Sequence, residues 1–124
     1  MAKPIRSSDS VPTDAQVEAF DRVQPMLVAL HRELSELSKK KQEGVLNELK
    51  VRHVNRLLTA VKATLGSDPS TVFLELLDEE TLPENSDAVL ILGQWLAAMQ
   101  QFKSRHYDQD STFRMRWLTK EHPA

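Results

Sequence analysis

The chain contains no cysteine and only three glycines, and these two scarcities exclude several kinds of functional site. Without cysteine it can form no disulfide framework, no thiolate zinc site and no cysteine nucleophile. Gly44, Gly66 and Gly93 are isolated from one another, so the chain has neither a Walker loop nor a dinucleotide-binding fingerprint. The lack of cysteine also favours a reducing compartment, and we expect a cytoplasmic protein.

Long apolar runs are missing as well. The longest apolar stretch, Ala88 to Met99, is interrupted by Gly93 and Gln94, and it is shorter than the roughly 18–20 residues that span a bilayer. The first ten residues hold no apolar run that resembles a signal-peptide core. We therefore expect a soluble protein without a membrane partner.

The chain has little net charge, but its charged residues are strongly segregated along the sequence. The net charge of −2 predicts no general attraction to nucleic acid. Between Lys39 and Lys62 there are seven Lys or Arg against two acids, and between Asp68 and Asp87 seven acids and no base. Between Lys103 and Lys120 five basic residues face two acids. Such blocks favour oriented contacts with a partner of complementary charge.

The apolar spacing predicts helices over most of the chain. Thr13 and Gln16 have capping-box spacing, and an apolar stripe with steps of three and four residues follows. Pro25 interrupts this stripe, which leaves two interpretations: a kinked helix, or a short first helix followed by a second one. The stripe stops at residues 38–44 and resumes at Val45, so we expect a helical hairpin turning near residues 39–44. A single helix from Met26 to Leu65 is the rival interpretation.

Two further helices are predicted beyond this hairpin. Gly66 has the place of a C-cap glycine, and residues 69–80 show an apolar stripe consisting of Val72, Phe73, Leu76 and Leu77. A last long helix is expected from about residue 87 to 107, with Asn85, Ser86 and Asp87 as candidate N-caps. Its first half is apolar all round, which predicts the most buried helix, with Trp95 in the core.

The fold class that follows is all-α, a compact bundle of about four helices. Residues 1–12, with two prolines and no periodicity, are expected to form a flexible N-terminal arm. The bundle is assigned to residues 13–107. Residues 108–124 are assigned to a short C-terminal segment that docks on the bundle or on a partner.

That C-terminal segment contains the first candidate interface. Apolar and basic residues alternate in it, which fits a short strand, yet two of its aromatic residues also fit one helical face. Aromatic residues beside arginine are typical of interface hot spots, and packing against the chain's own bundle is the alternative. The candidate C-terminal interface consists of Phe113, Arg114, Met115, Arg116 and Trp117.

The second candidate is a basic surface around the second long helix. Arg52 and Arg56 are four residues apart and share one helical face, and the lysines of the preceding turn extend the basic character. An ordinary solvated helix face is the simpler interpretation. The candidate surface consists of Lys39, Lys40, Lys41, Lys50, Arg52 and Arg56.

No catalytic, metal or cofactor site is predicted. The four histidines lack ligand spacing, and no serine lies in a nucleophile elbow. The run Asp108 to Thr112 begins like a calcium loop, but Phe113 and Thr119 stand where such a loop needs glycine and glutamate. We therefore expect a non-enzymatic protein that carries no cofactor.

The functional hypothesis is a small helical adaptor or accessory subunit that binds another protein, with a second copy of itself as one such partner. The alternative is a nucleic-acid-associated small helical subunit that uses the basic face of the second long helix. The acidic-to-neutral overall charge and the lack of aromatics among these basic residues weigh against nucleic acid.

Overall fold

A computed structural model of the chain describes residues 11–124, and within them it contains three α-helices and a two-stranded antiparallel sheet. The predicted helical character is confirmed, but the expected count of about four helices is corrected to three. The predicted arm lies almost wholly outside the described residues. The elements are α1 (Asp14–Lys40), α2 (Glu48–Leu65), a 3-10 turn (Pro69–Thr71), α3 (Asn85–His106), β1 (Tyr107–Gln109) and β2 (Met115–Trp117).

Helix α1 is one continuous helix of 27 residues. It begins with the predicted capping box, in which Thr13 Oγ1 accepts from the Gln16 amide at 3.1 Å and Gln16 Oε1 accepts from the Thr13 amide at 3.4 Å. Pro25 lies inside it, so the interpretation with two separate helices is wrong. Pro25 is exposed, and water can therefore satisfy the carbonyl that its missing N–H leaves free.

The turn between α1 and α2 confirms the predicted hairpin and excludes the single helix to Leu65. The Gly44 amide donates to the Lys41 carbonyl at 3.2 Å, and the Gly44 carbonyl accepts from the Asn85 amide at 2.7 Å. A Cβ on Gly44 would lie 2.9 Å from Asn85 Nδ2, so any larger residue would disturb the hydrogen bond from Asn85 to the Lys41 carbonyl. At the far end of α2, Gly66 has φ 59° and caps the helix as predicted.

The start of α3 differs from the prediction. Its N-cap is Glu84, which makes no side-chain capping bond, and Asn85 is already helical. The Asn85 side chain is buried and donates from Nδ2 to the Lys41 carbonyl at 2.8 Å. Asn85 therefore ties α3 to the α1–α2 turn instead of capping its own helix.

The helix predicted over residues 69–80 is wrong. After the 3-10 turn the chain continues without a regular helix to residue 84, and it passes between α2 and α3. Asn55 of α2 donates to the Leu77 carbonyl and accepts from the Leu77 amide, both at 2.8 Å. Trp95 Nε1 of α3 donates to the Glu75 carbonyl at 2.8 Å. These side chains satisfy backbone groups that a helix would otherwise have to pair internally.

The core is formed around α1, which packs against both α2 and α3, whereas α2 and α3 contact each other little. Trp95 is buried in this core, as predicted. Leu77 enters it from the irregular segment, while Phe73 and Leu76 of the same segment point to solvent. No helix within residues 11–124 is both long and apolar enough to cross a membrane.

The strand interpretation of the C-terminal segment is the one observed. Strands β1 and β2 pair antiparallel, with Tyr107 opposite Trp117. The Trp117 ring packs edge-on against Phe20 of α1 at 5.1 Å between centroids. Leu118 and Thr119 are buried beyond it. The hairpin therefore closes one end of the helical core.

Asn55→Ala tests the contact between α2 and the irregular segment. The substitution leaves two buried main-chain groups of Leu77 without partners, and we expect the free energy of unfolding to fall by about 2–4 kcal/mol. Chemical denaturation monitored by circular dichroism measures this loss. Thr59→Ala, one turn along α2, is the control: it removes only a hydrogen bond from an exposed hydroxyl to the Asn55 carbonyl and should change stability by less than about 0.5 kcal/mol. Equal effects of the two substitutions would contradict the role given to Asn55.

Candidate functional site

The structure does not bring the six candidate basic residues onto one face. All six are exposed. Lys50 and Arg52 are two positions apart on α2, which separates them by about 200° around the helix. Lys50 lines the groove between α1 and α2, whereas Arg52 and Arg56 lie outside that groove.

The three lysines form a separate group at the α1–α2 turn. Lys39 and Lys40 end α1, and Lys41 is its C-cap. Their positive charges interact favourably with the partial negative charge at the C-terminal end of α1, which is a structural reason for basic residues at these positions. Lys39 also pairs with Glu36 at 3.2 Å. Part of this basic group is therefore accounted for by α1 itself.

The groove between α1 and α2 has an apolar floor and a mixed rim. Its volume is about 520 Å³. Glu33, Lys50 and His53 lie at its edge, so both signs of charge border it. The apolar lining consists of Leu30, Leu34, Leu37, Leu49 and Val54.

The candidate C-terminal interface is divided by the fold. Trp117 is half-buried against the core. Arg116 is held by Asp110 Oδ2 at 2.8 Å, and its guanidinium also donates to the His122 carbonyl at 2.7 Å and to the Pro123 carbonyl at 2.6 Å. These two residues therefore serve the internal structure. Phe113, Arg114 and Met115 stay exposed, and we call them the hairpin tip.

Asp110 organises the loop that carries the hairpin tip. Its Oδ1 accepts from the Thr112 amide at 2.8 Å, the Thr112 hydroxyl at 2.6 Å and the Arg114 amide at 3.1 Å. Hydrogen bonds from Thr112 and Arg116 hold the pKa of Asp110 well below its ordinary value. Within the run that resembles the start of a calcium loop, the Asp110 carboxylate thus binds donors of the chain itself.

Phe113 is the most unusual residue of this loop. Its φ of 64° lies in the left-handed region, and it is the only non-glycine residue among those described with a positive φ. Its side chain is 81% exposed. The fold therefore exposes a large aromatic ring to solvent, on a residue whose left-handed backbone conformation is unfavourable for any side chain with a Cβ.

The chain beyond β2 is fastened to the start of α1. Asp14 Oδ1 accepts from the Thr119 hydroxyl at 2.6 Å, and His122 Nδ1 lies 3.0 Å from Asp14 Oδ2. The Thr119 hydrogen bond, with contributions from His122, lowers the pKa of Asp14. The Asp14 amide donates to the Glu121 carboxylate at 2.7 Å. These contacts hold the C-terminal residues against the start of α1.

A further surface was missed by the sequence interpretation. Phe73 was assigned to a buried stripe, yet it is 88% exposed. Leu90 lies in the half of α3 that was expected to be buried all round, yet it is 64% exposed. The signal available in the sequence was the absence of charge between Asp87 and Lys103, but the prediction used only the apolar first half of this helix, which it interpreted as burial on all sides.

Comparison of the chain with protein-family models, with curated proteins and with solved structures finds no match. The functional argument therefore depends on the surfaces of the chain itself. Across residues 11–124, no three His, Asp or Glu side chains are grouped as ligands for a metal ion.

Trp117→Ala and Met115→Ala separate the structural part of the β-hairpin from its exposed part. Trp117 packs on Phe20 and Phe102, so its truncation should lower the free energy of unfolding by at least about 2 kcal/mol. Met115 is mostly in solvent, and its truncation should change stability by less than about 0.5 kcal/mol. Thermal and chemical denaturation measure both. A small effect of Trp117→Ala on the free energy of unfolding would show that the β-hairpin is not part of the core.

Proposed function

We propose that this protein is a non-enzymatic helical adaptor or accessory subunit that binds another protein through its hairpin tip. The observation that carries the proposal is the exposure of Phe113 in a left-handed backbone conformation. A left-handed conformation costs roughly 1–2 kcal/mol in a residue with a Cβ. Glycine or asparagine would relieve most of that cost, so the stability of the chain alone gives no reason for phenylalanine.

The loop also has the rigidity that favours binding. Asp110 fixes three donors of the loop and the guanidinium of Arg116, while the Asp110 amide donates to the Arg114 carbonyl at 2.9 Å. A loop that is already ordered loses little conformational entropy on association. The backbone of Phe113 is thus ordered before a partner arrives.

The side chains of the hairpin tip indicate which kind of protein surface would bind it. Phe113 requires an apolar pocket, and the neighbouring Arg114 favours carboxylates at the rim of that pocket. The partner is therefore a protein with an apolar pocket bordered by Asp or Glu.

Phe113→Asn separates binding from folding. Asparagine tolerates a positive φ better than phenylalanine, so the melting temperature should stay the same or rise. Partner binding should fall at least about tenfold, because the aromatic anchor is lost. The measurement is quantitative mass spectrometry of proteins retained from native-host lysate by immobilised wild-type and variant chains, together with thermal melts.

Leu49→Gln is the matched control, because it removes a different exposed apolar side chain at the α1–α2 groove. It should retain the same proteins as the wild type. A partner that is lost with Leu49→Gln and kept with Phe113→Asn would contradict the assignment to the hairpin tip.

Binding to nucleic acid remains the alternative, and it would use Arg52 and Arg56. Both are exposed, and among the described residues neither forms an ion pair. Our proposal predicts no binding of DNA or RNA to the wild type at low salt in a fluorescence anisotropy titration. Affinity that falls steeply with salt and disappears in the double variant Arg52→Glu, Arg56→Glu would favour the alternative.

A further inference from the structure

Helix α3 has a solvent-facing stripe without charge. Leu90, Gln94, Ala97 and Gln101 are all exposed, and their spacing of four, three and four residues places them on one face. We call these four residues the α3 stripe. No Asp, Glu, Lys or Arg occurs between Asp87 and Lys103. The outer face of a surface helix normally carries charged residues, so this face differs from those of α1 and α2.

Phe73 widens this uncharged surface. It lies beside α3 and lines a groove of about 560 Å³ together with Ile91, Gln94, Ala97 and Gln101. Phe73 is 88% exposed and Leu90 64% exposed, so one large apolar side chain lies beside the stripe and another at its first position. An uncharged surface that exposes large apolar side chains beside amides is typical of a protein contact.

The two ends of the stripe carry opposite charges. Asp87 precedes Leu90, and Arg105 follows Gln101. Asp87 and Arg105 are 18 positions apart, which is about five full turns, so they occupy the same side of α3 about 27 Å apart. Arg105 is paired with Asp68, yet its side chain stays 38% exposed.

We infer that a second copy of this chain binds to the α3 stripe, with the two α3 helices antiparallel about a two-fold axis. In this arrangement Asp87 of each copy lies at the Arg105 end of the other. The opposed helix dipoles are also favourable. A parallel arrangement would put like charges opposite each other at both ends and align the dipoles. The charge pattern of α3 is thus complementary to itself in one orientation only.

The position of the same two-fold axis determines which residues of the two copies meet inside the contact. It passes between Gln94 and Ala97, so Leu90 of one copy packs near Gln101 of the other. Ala97 near the axis permits close approach of the helices, and the glutamine amides pair with one another or with exposed carbonyls. Phe73 of each copy covers the edge. This surface is separate from the hairpin tip and does not depend on the proposed binding of another protein.

Sedimentation velocity over a series of concentrations tests the dimer. The wild type should change from monomer to dimer as its concentration rises. Ala97→Glu places two carboxylates next to the axis and should raise the dissociation constant at least about tenfold. Ala63→Glu, the same change on the exposed side of α2, and Phe113→Asn should leave it unchanged. A wild type that stays monomeric, or a dimer that persists in Ala97→Glu, would overturn the inference.

Cross-linking tests the orientation, and the absence of native cysteine makes the result unambiguous. A mixture of Leu90→Cys and Gln101→Cys chains should give a covalent heterodimer with a short bismaleimide. Leu90→Cys alone should cross-link to itself far less, because its copies lie at opposite ends of the contact. Efficient cross-linking of Leu90→Cys to itself would indicate parallel helices and overturn the proposed arrangement.

Discussion

The architecture depends on the side chain of Asn55, which pairs with the main chain of one residue of the irregular segment as a neighbouring β-strand would. It binds both main-chain groups of Leu77 at 2.8 Å and is itself only 6% exposed. With Trp95 holding Glu75 on the other side, the segment fills the space between α2 and α3. Leu77 can then enter the core without a helix, and Phe73 is left outside. The exposed surface beside α3 is a consequence of this arrangement.

The sequence predicted correctly those elements whose conformation is determined by residues close to one another in the chain. The Thr13 capping box and the C-cap at Gly66 each depend on residues within a few positions of one another, and the turn between α1 and α2 coincides with a local break in the apolar stripe. The helix over residues 69–80 failed because the partners that decide its conformation are distant. Asn55 is 22 positions from Leu77, and Trp95 is 20 positions from Glu75. Apolar spacing alone contains no information on such partners.

The candidate sites divide in the same way. Alternation around Phe113 left strand and helix open, because the pairing strand, Tyr107–Gln109, begins at the last residue of the predicted helix and continues into a polar stretch without a strand pattern. Within the β-hairpin, Arg116 and Trp117 were assigned together with the exposed residues, since only the fold shows that they bind Asp110 and Phe20. The α3 stripe was overlooked because lack of charge indicates either burial or an interface. Exposure, which the sequence does not give, distinguishes the two.

Amide hydrogen exchange at Leu77, followed by NMR, tests the central contact most directly. If Asn55 holds the segment as described, the Leu77 amide should exchange as slowly as buried amides of α2 such as that of Val51. Such protection in a segment without regular secondary structure requires opening of the core before exchange. Exchange of Leu77 as fast as that of a solvated loop amide would show that the contact opens freely. The arrangement of α2, α3 and the segment between them would then be contradicted.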